Sequence, residues 1–326
     1  MFWNQEVETL PRADMVRWQS HKLNKVIERV YEKSLLYSKR MSDNGISPED
    51  IETVDDLCKL PFTTRQDLAA NYPYGLLTMP VSGVSYIHKN QNLENHPVAM
   101  NYTSNDMLMW TELMARMLVA GGVNVTTVFQ VGVPGELHPG SLGVCYGARQ
   151  VGATLVPGNS DHAAQQLSII EDFGVNGIFS TPESLLALAK ETRAAGSQPE
   201  ELPLQMIFCS IQSLEEHTLQ QIKKEYGRQL IRIYGFNDIF GMGIGGECHC
   251  ADGLHLQEDC FFPEIIDPES GQVLASGEMG ELVLTSLTLE AMPMIRYRTG
   301  VQGALDGSPC ACGRTLVRLK NKESKK

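Results

Sequence analysis

Tyr234-Gly235-Phe236-Asn237-Asp238 opens the stretch that decides the fold. It runs on through Glu247-Cys248-His249-Cys250 and Gly253-Leu254-His255, and closes with Arg296-Tyr297-Arg298-Thr299-Gly300 and Cys310-Ala311-Cys312-Gly313-Arg314. Cys248 and His255 are two soft ligands close together, and Cys310 and Cys312 are two more further along, each pair on a short Gly-bearing turn. A tetrahedral zinc takes three thiolates and one imidazole, and a closed set of four leaves no open position for water, so the expected ion is a structural zinc. Cys250 is a fifth candidate and can take the place of Cys248. The competing reading is a scatter of core or surface thiols, since free cysteine behaves as a small hydrophobe. Cys310-Ala311-Cys312-Gly313 makes a poor core segment and a natural metal knuckle.

Around that stretch, 326 residues are enough to bury a large core, as one big domain or two lobes. A hydrophobic content of 42% and a charged content of 20% are ordinary for a soluble globular protein. The net charge of −12 argues against nucleic acid and anionic membrane surfaces as partners. No apolar run reaches the length of a membrane span, and Met1-Phe2-Trp3-Asn4-Gln5-Glu6 lacks the basic start and apolar block of a signal peptide. Eight cysteines with a Cys-x-Cys pair and no regular framework fit reduced thiols plus metal, with the cytoplasm as the expected address.

Hydrophobic periodicity divides the chain. Residues 1–83 read as a helical N-terminal segment, with Leu23, Val26, Ile27 and Val30 on one helix face after Pro11, and Ser47 capping a turn that begins at Pro48. From about Val84 to residue 244, strands and helices alternate, which predicts a largely parallel sheet with helices on its faces. Helices are expected over 107–120, 140–152, 162–173, 184–195 and 215–226, and strands over 126–131, 154–157, 177–180, 205–210 and 230–234. After Gly245 the helices stop, and Phe262–Asp267 and Glu281–Leu287 read as strands of a β subdomain, over 245–319, around the zinc. Residues 320–326 read as a solvated tail. The fold class is therefore α/β, mostly parallel sheets flanked by helices, with a small zinc-bearing β subdomain.

Long, ordered matches carry a resemblance. Tyr234-Gly235-Phe236-Asn237-Asp238, the run from Gly253 to Asp259, Phe262 to Pro268, Gly280-Glu281-Leu282-Val283 and Ile295 to Gly300 resemble phenylacetate-CoA ligases of the adenylate-forming (AMP-binding) superfamily. Trp3-Asn4, Glu8-Thr9-Leu10-Pro11, Leu60-Pro61-Phe62-Thr63-Thr64 and Asn71-Tyr72-Pro73 extend the likeness over nearly the whole chain. The resemblance implies the N-terminal domain of such a ligase, which in the family activates a carboxylic acid with ATP and magnesium and passes it to CoA.

Several positions depart from the family's pattern. The family's glycine-rich phosphate loop, ending in Gly-Lys-Pro, falls on Ile87 to Pro97, where Asn92 and Asn95 stand for glycines, Glu94 for a hydroxyl and His96 for the lysine. An acidic side chain facing a triphosphate is repulsive. Cys209-Ser210-Ile211-Gln212 replaces the Gly-Ala-Glu-Pro turn beside adenine. Asp238 stands for the magnesium-binding glutamate, with Asn237 at the hydroxyl position, and Val301 for the aspartate that grips the ribose. The family's mobile C-terminal domain, with its catalytic lysine, would begin about where this sequence stops. Together these put ATP/Mg and CoA as cofactors in doubt.

The surviving pocket is expected to use Tyr234 and Gly235, with Arg298 or Asp238 as anchor, and to take a small carboxylate or acyl thioester. Glu136 and His138 fall where the family's aryl pocket is aromatic; they form an acid/base pair or orient a polar substrate, unless they are solvated loop residues. Three functions follow from the residues: an acyl-binding relative that forms no adenylates itself, a working ligase with an altered phosphate loop helped by Arg65 and Arg298, and a scaffold subunit. A separate C-terminal domain protein or a homodimer would be the protein partner.

Overall fold

A computed structural model of the protein describes residues 1–90, 97–133, 139–159, 162–211 and 216–321. Asn92, Glu94, Asn95, His96, Glu136, His138 and Gln212, to which the sequence assigns roles, lie outside the described residues, as does most of the expected tail. In chain order the strands are β1 (Tyr86–Asn90), β2 (Val98–Tyr102), β3 (Val128–Val133), β4 (Thr154–Asn159) and β5 (Gly177–Ser180). They continue with β6 (Met206–Ile211), β7 (Leu230–Phe236), β8 (Gly241–Gly246) and β9 (Leu254–Leu256). The last four are β10 (Phe261–Ile266), β11 (Gly280–Ser286), β12 (Tyr297–Asp306) and β13 (Arg318–Lys320).

The chain divides into two compact units. One comprises Met1–Asn4, Trp110–Phe236 and Gly241–Leu254. Its strands lie in the order β8-β7-β6-β5-β3-β4. Every neighbour from β7 to β4 is parallel, and β8 returns antiparallel on β7. Parallel neighbours need crossovers, and helices Pro139–Val151, Ala163–Phe173, Pro182–Ala194 and Glu216–Tyr226 supply them. Their stops and starts are local chemistry. Gly174 takes the left-handed conformation (φ +60°) that ends the second helix, and Thr181 accepts from the backbone N–H of Ser184 while Pro182 opens the third.

Gly241-Met242-Gly243-Ile244-Gly245-Gly246 forms β8 although glycine disfavours strands. The reason is Trp110, which is fully buried on it and donates its indole N–H to the Met242 carbonyl at 2.6 Å. A Cβ on Gly241 would stand 2.8 Å from that indole.

The other unit comprises Gln5–Met109, Asn237–Phe240 and His255–Lys326. Its long helix, Arg12–Lys33, buries Leu23, Val26, Ile27 and Val30. Ser47 and Asp50 cap each other across the turn at Pro48, with 2.8 Å bonds from the Ser47 amide and hydroxyl. β10, β11, β12 and β13 form an antiparallel meander, and β1 and β2 a separate hairpin. The N-terminal helices and this meander share one unit because backbone pairs join them. Thr63 donates to the Arg296 carbonyl and accepts from the Arg298 amide, both at 3.0 Å, and Thr315 donates to the Glu8 carbonyl at 3.1 Å. Among the described residues no helix is long and apolar enough to cross a membrane.

Candidate metal centre and ligand site

Cys248 follows β8 on a turn fixed from outside. Arg232 donates to Glu247 through its side chain at 2.6 Å and its amide at 3.0 Å, which pins the residue before the cysteine. The turn closes with the Ala251 amide on the Cys248 carbonyl at 3.0 Å, Ala251 itself adopting φ +48°. The Cys250 amide points at the Cys248 sulfur from 3.4 Å. The second knuckle repeats this pattern. Gly313 (φ +89°) donates to the Cys310 carbonyl at 2.9 Å, and the Arg314 amide points at the Cys312 sulfur from 3.5 Å. Backbone N–H groups aimed at sulfur favour the thiolate, the form that binds metals.

His255 sits mid-strand in β9, buried, with Nδ1 3.4 Å from the Leu316 carbonyl and Nε2 3.5 Å from the Cys312 sulfur. A carbonyl can only accept, so it places the proton on Nδ1 and leaves the Nε2 lone pair free for an ion. Cys248, His255, Cys310 and Cys312 each offer one ligand atom, and these all lie within 4.8 Å of one another. Zinc–sulfur bonds of about 2.3 Å in a tetrahedron put neighbouring ligand atoms about 3.8 Å apart. Cys250, offered by the sequence as an alternative to Cys248, is not in the group.

Asp238 belongs to the second unit and is 7% exposed. Both of its oxygens are engaged. One accepts from the Asn90 amide at 2.7 Å; the other accepts from the Arg65 guanidinium and, at 3.3 Å, from the Tyr297 hydroxyl. Burial pushes the Tyr297 hydroxyl up to about 12, with the Arg65 charge pulling the other way, so it stays a donor. Arg65 leads helix Arg65–Ala70, whose capping residue Thr64 trades bonds with Asp67. Arg298 is spoken for as well. It pairs with Glu281, which raises its pKa further, donates to the Pro268 carbonyl at 3.0 Å, and lies over the Phe62 ring. The next motif position, Gly300, donates its amide to Glu281 at 3.0 Å.

Tyr234 and Gly235 lie in the first unit, at the end of β7. Tyr234 is fully buried, edge-on to Phe236 at 5.2 Å. Gly235 has a packing reason: a Cβ there would run into the Gly241 carbonyl and stand 2.6 Å from the Met242 Cα. Backbone cannot yield as a side-chain tip can, so Gly235→Ala is expected to cost about 1–3 kcal/mol in urea unfolding. An unchanged midpoint would show that β8 shifts freely.

The sequence did not reveal the partners of these groups. Arg65, Asn90 and Tyr297 come to Asp238 from far along the chain, and Glu281 to Arg298 from the adjacent strand. Only the alternation of β11, which places Glu281 and Val283 on one face, hinted at the last.

Known proteins give the same frame. The phenylacetate-coenzyme A ligase of Thermus thermophilus is 35% identical over 320 residues, 98% of this chain and 72% of that protein. The phenylacetate-coenzyme A ligase of Escherichia coli K12 is 34% identical over 295 residues, 90% of this chain and 68% of that protein. Among solved structures, an open conformation of 2-hydroxyisobutyryl-CoA ligase superposes with a TM-score of 0.90 at 22% identity, over 98% of this chain and 76% of that one, and so shares the fold. No protein-family model matches the chain. Identity at this level over nearly the whole sequence, on the fold of adenylate-forming CoA ligases, means that the chain belongs to the phenylacetate-CoA ligase family.

Proposed function

We propose that this protein binds a carboxylate or an acyl thioester without making adenylates, and that one structural zinc holds the two cysteine knuckles together. The observation that carries the first part is Asp238. The resemblance puts the magnesium-binding glutamate at this position, yet here the carboxylate is shorter and both oxygens already accept from Arg65, Asn90 and Tyr297. A guanidinium beside the carboxylate supplies the charge that the cation would bring. Val301, at the ribose position, has no side-chain acceptor to offer. The acyl half of the reading draws on Arg65 too. Its Nη2 is buried and has no hydrogen-bond partner among the described residues, a donor suited to a carboxylate oxygen.

The zinc half rests on the donor set. Three thiols and an imidazole are the ligands of a closed tetrahedral zinc site, and such an ion contributes folding energy. It would work as a staple between turns and not as a Lewis acid, since four protein ligands leave no place for substrate.

Thermal-shift measurements on the whole chain test the ligand half. A ligand held at a hundred times its dissociation constant stabilises the native state by about 2.7 kcal/mol. Aryl and small aliphatic carboxylates, free and as CoA thioesters, are expected to include at least one that raises the melting temperature by several degrees. Stabilisation by magnesium-ATP with no response to any acyl compound would reverse the assignment of the surviving half-site.

A further inference from the structure

On one face of the parallel sheet, near the carboxyl ends of its strands, two buried glutamines have side chains without hydrogen-bond partners among the described residues. Gln130 in β3 and Gln166 in helix Ala163–Phe173 are both 0% exposed. Neither amide oxygen nor amide nitrogen of either residue finds a hydrogen-bond partner among the described residues. Four unmet polar atoms in a core are costly, and such groups in native proteins ordinarily meet water, a ligand or each other.

The chain makes room for these side chains. Register sets Gly132 of β3 beside Gly158 of β4 and Ser180 of β5, all on the face of Gln130. The Gln130 amide nitrogen lies 2.9 Å from where a Cβ on Gly158 would be, and the Gln166 amide nitrogen lies closer still to where one on Gly132 would be. Ser180 joins the layer by donating its hydroxyl to the Gly132 carbonyl. Two missing Cβ atoms on paired strand positions thus make room for two amides over neighbouring strands, in the part of an open α/β sheet where ligands gather.

We infer that Gln130 and Gln166 form a polar subsite of their own unit that recognises a hydroxyl on an acyl ligand, so that the preferred ligand is a hydroxy acid or hydroxyacyl thioester. The inference rests on the acyl-ligand reading above. A neutral amide offers both donor and acceptor, and a hydroxyl is the small group that answers both at once. A carboxylate, acceptor only, would leave the amide oxygens unmet, and a methyl group would leave all four atoms so.

The test uses the whole chain labelled with 15N-glutamine and titrated with butyrate and 3-hydroxybutyrate, each as free acid and as CoA thioester. Gln130→Met and Gln166→Met assign the two side-chain amide signals. The hydroxylated probes are expected to bind at least about tenfold more tightly than their deoxy partners, because a site built to bond a hydroxyl rejects the analogue lacking it. Both amide signals should move on binding, and in either Met variant the preference should fall to within about twofold. Equal affinity for the two probes with unmoved amide signals would overturn the inference and leave bound water as the partner. Failure of every probe to bind would sink the acyl reading and this inference with it. The Met variants are expected to melt no lower than the parent, since an apolar side chain of similar volume removes the unmet groups. A clear drop would show that the amides are structurally paired and also count against the inference.

Discussion

Arg296→Met is expected to destabilise the protein by about 3–5 kcal/mol, because it leaves a buried carboxylate without its counter-charge. Arg296 and Glu264 are 3% and 5% exposed and share two bonds, at 2.9 and 3.1 Å. The guanidinium also donates to the carbonyls of Cys58 (3.2 Å) and Leu60 (2.8 Å) and lies over the Phe62 ring at 4.2 Å. Arg296 does this from a left-handed backbone (φ +48°), uncommon outside glycine, which turns the chain into β12. Burial pushes the Glu264 carboxyl above the usual carboxylate range, and Arg296 offsets only part of that rise. The double variant Arg296→Met/Glu264→Leu should therefore regain much of the loss, since replacing both partners of a buried pair by apolar groups is often neutral. Urea unfolding of the two variants decides it. A single variant within about 1 kcal/mol of the parent would mean that water reaches Glu264.

The second large effect concerns the metal. Purified protein from zinc-sufficient medium is expected to carry about one zinc per chain, and Cys310→Ser to carry none, whereas Cys260→Ser keeps the ion. Cys260 is buried too, but its thiol faces the Asp259 carboxylate at 3.5 Å and it stands outside the ligand group. Because binding energy in such a site is folding energy, a strong chelator should raise amide exchange around Cys248–His255 and Cys310–Arg314 well before it affects the parallel strands. Elemental analysis without stoichiometric metal would remove the zinc from this account.

The fold was readable where one period dominates. Leu23, Val26, Ile27 and Val30 share a helical face and are buried, and the strands and helices from β3 to β7 lie within a few residues of the expected positions. Three features escaped. The helix expected from Met107 begins at Ser104, since Thr103 and Asp106 cap each other at 2.9 and 3.0 Å, a signal carried by Thr103-Ser104-Asn105-Asp106. The glycine-rich β8 carries no strand signal in sequence, because what makes it a strand is an indole from another element. The role of Arg298 was equally hidden. A motif arginine looks like a ligand anchor in sequence, but Glu281 is its partner in space. That Cys248, His255, Cys310 and Cys312 come together in space was, by contrast, legible, because soft ligands on tight turns have few other uses; the choice of Cys248 over Cys250 was not.

On the function proposed above, the nucleotide half of the family's site no longer takes nucleotide in this chain. Calorimetric titration of the whole chain with magnesium-ATP tests this most directly, since it depends on binding alone and not on any turnover. No saturable binding is expected up to about 1 mM, where a site worth even about 4 kcal/mol would begin to fill. Magnesium-dependent ATP binding with a micromolar dissociation constant, weakened by Asp238→Asn, would contradict the account.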